Sequence, residues 1–185
     1  MPKEAKFETL FQELLEDLYD AEKQIAEALP KMIAASSTAQ LSAAFEHHLE
    51  ETKQQALRLE AIFERMAVEP GSRECKPMQA LLEDGERLTT EFARSAVLDT
   101  ALIAAGQKVE HFEIAAYGSV CSLAELLGQQ DAFDLLQDSL QEEMEADESL
   151  AEIAELVIGG DSDDEELDGD EELEEEEEEE EVEER

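Results

Sequence analysis

Three observations predict an all-α protein whose helices form an antiparallel bundle. Proline and glycine are scarce before residue 160, and apolar residues there recur every three or four positions, which is the spacing of one helix face. No segment has the alternating pattern of a half-buried strand. The chain has 185 residues, 42% of them hydrophobic, and is therefore long enough for one domain with a buried core.

Two long helices are predicted at the beginning of the chain. Helix A is predicted over residues 4–34, with Pro30 as the place for a kink. Helix B is predicted over residues 39–66, and the Ser-Ser-Thr sequence at residues 36–38 offers side chains that can cap its first turn.

A loop and three further helices follow. The sequence VEPGSRECKP is rich in proline and glycine and predicts a loop, after which a short extra helix is predicted over residues 78–92. Helix C is predicted over residues 95–127, with Gly128 as its C-terminal cap, and helix D over residues 132–157. Four long helices with one longer connection between B and C predict an antiparallel four-helix bundle.

The last part of the chain has a different composition. Residues 161–185 hold 19 acidic residues and one arginine, a charge of −18, and almost no apolar residues. Such a segment cannot bury enough apolar surface to fold, so we expect a bundle over residues 1–158 and a disordered acidic tail over residues 159–185. The tail is expected to act as a solvated, repulsive segment or to bind divalent cations or a basic partner weakly.

The charge of the whole chain limits its partners. The net charge is −39, of which −21 remains on the first 160 residues. A field of this sign opposes binding to nucleic acid and to anionic membranes and favours cations as partners. No apolar run is long enough to span a membrane, and the N-terminus MPKEAKFETL is unlike a signal peptide, so a soluble, cytoplasmic protein is expected. Cys75 and Cys121 are predicted to be free thiols.

Polar residues interrupt the apolar face of each long helix near its middle. They are Glu22 on helix A; His48, Thr52 and Gln55 on helix B, with Glu51 beside them; Glu110 and Glu113 on helix C; and Glu143 and Asp147 on helix D. The midpoints of the four helices fall near residues 19, 52, 111 and 144, so in an antiparallel bundle these residues lie at about the same level.

A buried layer of carboxylates needs protons, bases or cations to be stable, because unpaired buried charges are costly. Bases are scarce, since His48 is the one basic side chain expected inside, while Lys23, Lys108, His47 and His111 are expected to point outward. Cations are therefore the better explanation. Carboxylate oxygens with one imidazole are the ligands expected for iron or manganese, and the layer has enough side chains for two metal ions that share bridging carboxylates.

Other interpretations of single residues remain open. In so acidic a chain any one glutamate can lie on a solvated face, and His48 can be a hydrogen-bonded core histidine. Glu50 adjoins Glu51, and a modest rotation of helix B would exchange the two. Tyr117 is expected in the core, where its hydroxyl could donate to a ligand carboxylate.

The segments LYDAEKQIAEALPKM, AFEHHLEETKQQALRLEAIF, DTALIAAGQKVEHFEIAAYGSVCSLAELLG and LLQDSLQEEMEADESLAEIA resemble the YciE/YciF family of ferritin-like bacterial stress proteins. The resemblance covers about residues 5–157, and QKVEHFEIAAYG is its most specific part. It implies a rubrerythrin-like four-helix bundle with a dinuclear iron centre, dimerisation, and activity of ferroxidase type. The acidic tail lies outside the match.

Ferritin-like di-iron sites take one Glu from each of two helices and a Glu-x-x-His pair from each of the other two. By this resemblance Glu22 and Glu110 match the single glutamates. Helix D offers Glu143 with Asp147 in place of a histidine. Helix B offers a histidine and a glutamate in reversed order.

The first hypothesis is a di-iron carboxylate protein that oxidises Fe(II) with dioxygen or peroxide in stress protection. Its expected metal ligands are Glu22, Glu51, Glu110, Glu143 and Asp147, with His48 and Glu113 as participants. The alternative is a non-catalytic, dimeric stress-response bundle whose acidic layer holds a structural metal or whose surface binds a partner. A cation buffer acting through the tail is weaker, because runs of glutamate lack the turn and mixed oxygen ligands of a calcium loop.

Overall fold

The computed structural model describes residues 3–160, and five α-helices make up most of this part. They are α1 (Lys3–Ala35), α2 (Ala39–Met66), α3 (Lys76–Glu91), α4 (Ala96–Leu126) and α5 (Gln130–Gly160). The described residues contain no strand, so the all-α prediction is confirmed. Helix α3 is the short extra helix, and the other four are the predicted helices A to D.

The predicted helix boundaries differ from the observed ones by at most three residues. Helix α2 begins and ends at the predicted residues, and Pro30 lies inside α1, which continues to Ala35. Helix α5 runs on to Gly160, two residues past the predicted end of the bundle. The remainder of the predicted tail, residues 161–185, lies outside the described residues.

The turn between α1 and α2 is held by α4. Thr38 is the N-cap residue of α2, as the sequence indicates, but its side chain makes no capping bond. The buried carboxylate of Asp99 instead accepts hydrogen bonds from the backbone N–H groups of Ser37 and Thr38, at 2.7 and 2.9 Å, and from the Ser37 hydroxyl at 2.8 Å. The expectation of a local side-chain cap was therefore wrong, because a carboxylate from another helix takes these donors.

The end of α4 confirms the predicted role of Gly128. This glycine has a φ of +67°, and its N–H donates to the carbonyl of Glu125 at 3.1 Å. Only a residue without a Cβ adopts this conformation at little cost, so the chain can turn sharply here. The turn brings α5 back along α4.

Two apolar clusters show how the four long helices are oriented. One combines the second halves of α1 and α5 with the first halves of α2 and α4, and includes Leu29 and Phe45. The other combines the opposite halves and includes Phe11 and Ile62. The second halves of α1 and α5 thus lie beside the first halves of α2 and α4. Each long helix is therefore antiparallel to both of its neighbours in the bundle.

Helix α3 lies outside the bundle, against α1 and α4, with Met78 buried in the first apolar cluster. Within residues 3–160, no helix has both the length and the apolar character that crossing a bilayer requires.

Candidate metal centre

A layer of buried polar side chains separates the two apolar clusters. Each of its members is at most 5% exposed, and they are Glu22, His48, Thr52, Gln55, Glu110, Glu113 and Glu143. All four long helices contribute. The polar centres of the helices therefore lie at one level of the bundle, as the spacing of the residues predicts.

Four of these side chains form a compact group. His48 on α2, Glu110 and Glu113 on α4 and Glu143 on α5 each offer one ligand atom, and these atoms all lie within 4.8 Å of one another. Nε2 of His48 is 3.6 Å from Oε1 of Glu110. We call these four residues the His-Glu cluster.

Glu22, the member of the layer on α1, is not one of the four residues of the His-Glu cluster. The Tyr117 hydroxyl donates a hydrogen bond to Oε1 of Glu22, whereas Oε2 of Glu22 has no partner. The expected bond from Tyr117 to a carboxylate of the layer is therefore present. The bond holds one oxygen of Glu22 and leaves the other free to bind a cation.

Most of the polar atoms in the layer lack hydrogen-bond partners. The unpartnered atoms are Oε2 of Glu22, Glu110 and Glu143, both oxygens of Glu113, both ring nitrogens of His48 and Oε1 of Gln55. His48 is thus not a hydrogen-bonded core histidine. Each buried polar atom without a partner costs free energy, and a cation bound among these atoms could satisfy several of them at once.

Burial changes the proton affinity of these groups. It raises the pKa of Glu22, Glu110 and Glu113 well above the usual range, and the neighbouring Glu143 carboxylate adds to each rise. Burial also raises the pKa of Glu143, to about 7, and lowers that of His48 to about 4. Without a cation, burial thus favours the protonated form of these acids and the neutral form of the imidazole, and a cation would take the place of the protons.

A chain of hydrogen bonds links Glu143 to an arginine nearer the surface. The Gln55 amide donates to Oε1 of Glu143 and, at 3.1 Å, to Oε2 of Glu142. The Arg58 guanidinium binds both oxygens of Glu142 with two bonds of 2.6 Å. Sequence analysis missed Arg58 and Glu142. Their positions, one turn after Gln55 and next to Glu143, were the only signal.

Two predicted ligands lie at the rim of the cluster and not within it. Oε1 of Glu51 is 3.3 Å from Nε2 of His47, and Oδ2 of Asp147 is 3.1 Å from Nε2 of His111. Both carboxylates are partly exposed, and both histidines are exposed as expected. On α5 the seven-residue count from Leu140 leads to Asp147, and both residues are only partly buried, so they lie beside the buried face of the helix and not at its centre.

The lysines near the layer do not neutralise it. Lys23 and Lys108 are exposed, as expected, and Lys108 pairs with Asp84 at 3.2 Å. In the part of the chain that the structure describes, no lysine or arginine is buried. The protein itself therefore supplies no cation inside the layer.

An antiparallel four-helix bundle with carboxylates and an imidazole at its middle defines a ferritin-like bundle with a candidate metal site. The chain belongs to the family described as a domain of unknown function, DUF892, whose model matches residues 6–180. It is 42% identical over 148 residues to Protein YciF of Escherichia coli. The aligned segment covers 80% of this chain and 89% of YciF. The resemblance to the YciE/YciF proteins is thereby confirmed, but the expectation that the acidic tail lies outside the match was wrong, because the family model extends to residue 180.

Solved structures agree with this assignment. The crystal structure of the E. coli stress protein YciF matches with a TM-score of 0.81 at 39% identity, over 86% of this chain and 99% of that chain. YcfI from Rhodopseudomonas palustris matches with a TM-score of 0.76 at 39% identity, over 78% and 92% of the two chains. A Xanthomonas campestris protein, at 22% identity and a TM-score of 0.67 over 83% and 94%, shares the fold.

Proposed function

We propose that the His-Glu cluster, together with Glu22, binds iron and that the protein oxidises Fe(II) with peroxide or dioxygen, an activity of ferroxidase type. The observation that supports this most is the cluster itself. Four ligand groups from three helices lie within 4.8 Å of one another, and unpartnered atoms on every one of them are buried.

The ligand chemistry favours iron, with manganese as the second choice. Four carboxylates and one imidazole form an oxygen-rich set that suits both metals and stabilises Fe(III) relative to Fe(II). Thiolate ligands are missing from the set: Cys75 and Cys121 are free, buried thiols, and burial raises the pKa of Cys121 to about 11. The site has one imidazole where a pair of Glu-x-x-His sequences would give two.

The chain's own residues prepare the site for Fe(II), the substrate. Gln55 holds Oε1 of Glu143 and Tyr117 holds Oε1 of Glu22, so that in each carboxylate Oε2 remains available. Because the pKa of His48 is about 4, its imidazole is already neutral at pH 7 and loses no proton when a cation binds. The two apolar clusters above and below limit access of water.

The redox balance requires a pair of iron ions and an oxidant. Two Fe(II) ions give up one electron each, and one hydrogen peroxide takes both electrons with two protons and leaves as two water molecules. Protons that the carboxyl groups release when the cations bind can supply this demand.

The proposal can be tested by anaerobic Fe(II) titration of the full-length protein, followed by peroxide or oxygen and optical spectra. We expect about two iron ions per chain in the cluster and a ferric charge-transfer absorption, both absent from a Glu110→Gln, Glu143→Gln variant. The matched control is Glu148→Gln, Glu152→Gln, which removes two exposed carboxylates from α5 and should behave like the wild type.

Two results would contradict the proposal. Equal iron binding in the cluster variant would mean that the buried carboxylates are not the site. Iron that binds in the cluster but is oxidised no faster than free Fe(II) would favour the alternative, a non-catalytic stress-response bundle with a structural metal.

We also propose that the protein is a dimer, which the family resemblance implies, and that it is cytoplasmic, which its composition favours. Sedimentation velocity of the full-length chain tests the first, with a species of twice the chain mass as the expected result.

A further inference from the structure

A cleft between α2 and α5 leads from the surface to the His-Glu cluster. Its volume is about 230 Å³, and His48 and Glu110 form its inner end. Its wall residues include two acids, Glu51 and Glu145, and the exposed His47. Six water molecules, the number around a hydrated divalent cation, occupy about 180 Å³, so the cleft can admit such an ion.

The metal-binding atoms along this cleft form a continuous series. Nε2 of His47 is 3.3 Å from Oε1 of Glu51, and Oε2 of Glu51 is 3.9 Å from Nδ1 of His48. Nε2 of His48 is 3.6 Å from Oε1 of Glu110. The exposed fraction of the side chains falls inward along the series, from 76% at His47 to 19%, 6% and 3%.

The inner end of the cleft has a buried imidazole whose hydrogen-bonding capacity is unsatisfied. His48 is buried, lines the cleft, and has no hydrogen-bond partner at either ring nitrogen. An imidazole without a hydrogen-bond partner, at the end of a cleft lined by carboxylates, is suited to bind a cation and is unsuited to bind an apolar ligand.

A second cleft, between α1, α3 and α4, differs in its walls. It has a volume of about 330 Å³ and an apolar floor that includes Met32, Leu82 and Val109. The space that continues from it to His48 and Glu110 is only about 10 Å³, room for at most one water molecule. A hydrated cation cannot pass there without loss of its water.

We propose that the α2–α5 cleft is the entry route for the divalent cation, and that Glu51 is a transient ligand which passes the cation to His48. Glu145 attracts the cation to the mouth of the cleft. This inference rests on the proposed function, since it requires that the cluster binds a metal. It also gives Glu51 a different role from the permanent ligand that the sequence predicts.

The test follows uptake of Co(II), which needs no oxidant, by the metal-free full-length protein in a stopped-flow instrument. The signal is the Co(II) absorption that the Glu110→Gln, Glu143→Gln variant lacks. The test variant is Glu51→Gln, Glu145→Gln. The control is Glu27→Gln, a change of charge at the wall of the other cleft.

At low ionic strength we expect the test variant to bind Co(II) at least about tenfold more slowly, and the control to stay within about twofold of the wild type. Release to a chelator should slow by the same factor, with the dissociation constant and the stoichiometry unchanged. A residue on a route affects both directions equally, whereas a permanent ligand affects the dissociation constant.

Three results would overturn the entry route. They are an unchanged rate of uptake in the test variant, an equal loss of rate in the control, and faster release with weaker binding, which would make Glu51 a permanent ligand. In all three the cluster still binds metal, so the proposed function survives. A wild-type protein that takes up no Co(II) in the cluster would overturn both.

Discussion

The hydroxyl of Tyr117 on α4 donates a hydrogen bond to Oε1 of Glu22 on α1, and both side chains are fully buried. The bond joins two helices at the level of the buried polar layer. It also gives the buried phenol a hydrogen-bond partner. Tyr117 therefore stabilises the bundle and orients one of its candidate ligands.

Replacement of Tyr117 by phenylalanine should destabilise the metal-free protein. The ring still fills its space, but Glu22 loses the partner of a buried oxygen, which costs about 1–3 kcal/mol. Urea unfolding measures the change. The control is Tyr19→Phe, which removes a bond to Glu60 near the surface and should cost less than about 0.5 kcal/mol. An equal decrease in the free energy of unfolding in the two variants would show that the buried hydrogen bond stabilises the protein no more than the exposed one.

Replacement of Glu113 by glutamine should stabilise the metal-free protein at high pH. Burial raises the pKa of Glu113 in the folded state, so above the unfolded value of about 4.3 the unfolded chain releases a proton that the folded chain keeps. The free energy of unfolding therefore falls as the pH rises towards the folded pKa, and a neutral glutamine removes this loss.

Urea unfolding with a chelator at pH 5 and pH 8 checks this prediction. Relative to the wild type, the variant should gain at least about 1 kcal/mol more at pH 8 than at pH 5. Glu152→Gln, which changes an exposed residue of α5, should show no such difference. A gain that is independent of pH would mean that Glu113 is already ionised in the folded protein.

Metal binding should release protons. At pH 6 the carboxyl of Glu143, with a pKa of about 7, holds its proton, whereas His48, with a pKa of about 4, has none to lose. Calorimetry of Mn(II) binding in two buffers of different ionisation enthalpy should therefore give at least about one proton released per chain. Binding without proton release would contradict the protonated state of the buried acids.

The ion pair between Arg58 and Glu142 should support metal affinity from outside the cluster. Replacement of Arg58 by methionine frees Glu142, which shares the Gln55 amide with Glu143, and we expect about tenfold weaker Co(II) binding. Arg58→Lys should restore only part of the loss, because lysine cannot form the two-bond pair. Arg87→Met, which breaks an exposed pair on α3, is the control. Unchanged affinity in Arg58→Met would limit this pair to a structural role.

Two glycines of α4 should respond in opposite ways to alanine. A Cβ at Gly118 would meet no atom within 4 Å, so Gly118→Ala should stabilise the protein by about 0.5–1 kcal/mol through helix propensity. A Cβ at Gly106 would lie 3.0 Å from Cδ1 of Leu150, and Gly106→Ala should destabilise it by about 1 kcal/mol. Thermal unfolding measures both, and a gain at Gly106 would show that the Leu150 side chain can move aside.

The helices were predictable because the signals for them are local. The apolar period, the loop with Pro70 and Gly71, and Gly128 each act within a few residues, and they placed all five helices. The cap at Ser37 and Thr38 was not predictable, since its acceptor, Asp99, is about 60 residues away in the chain and reaches the turn only when α4 packs against it. The different surroundings of Gly106 and Gly118 were not predictable either, since they depend on how the other helices pack against α4.

The sequence by itself determined the all-α bundle, the level of the polar layer and most of its members, because helix period and helix length fix which residues lie on one face and at one height. Only the tertiary structure decided which carboxylates meet. The rotation of each helix, set by packing against its neighbours, placed Glu143 in the cluster and left Glu51 and Asp147 at its rim. It also paired Gln55 and Arg58 with α5, contacts for which no local pattern exists.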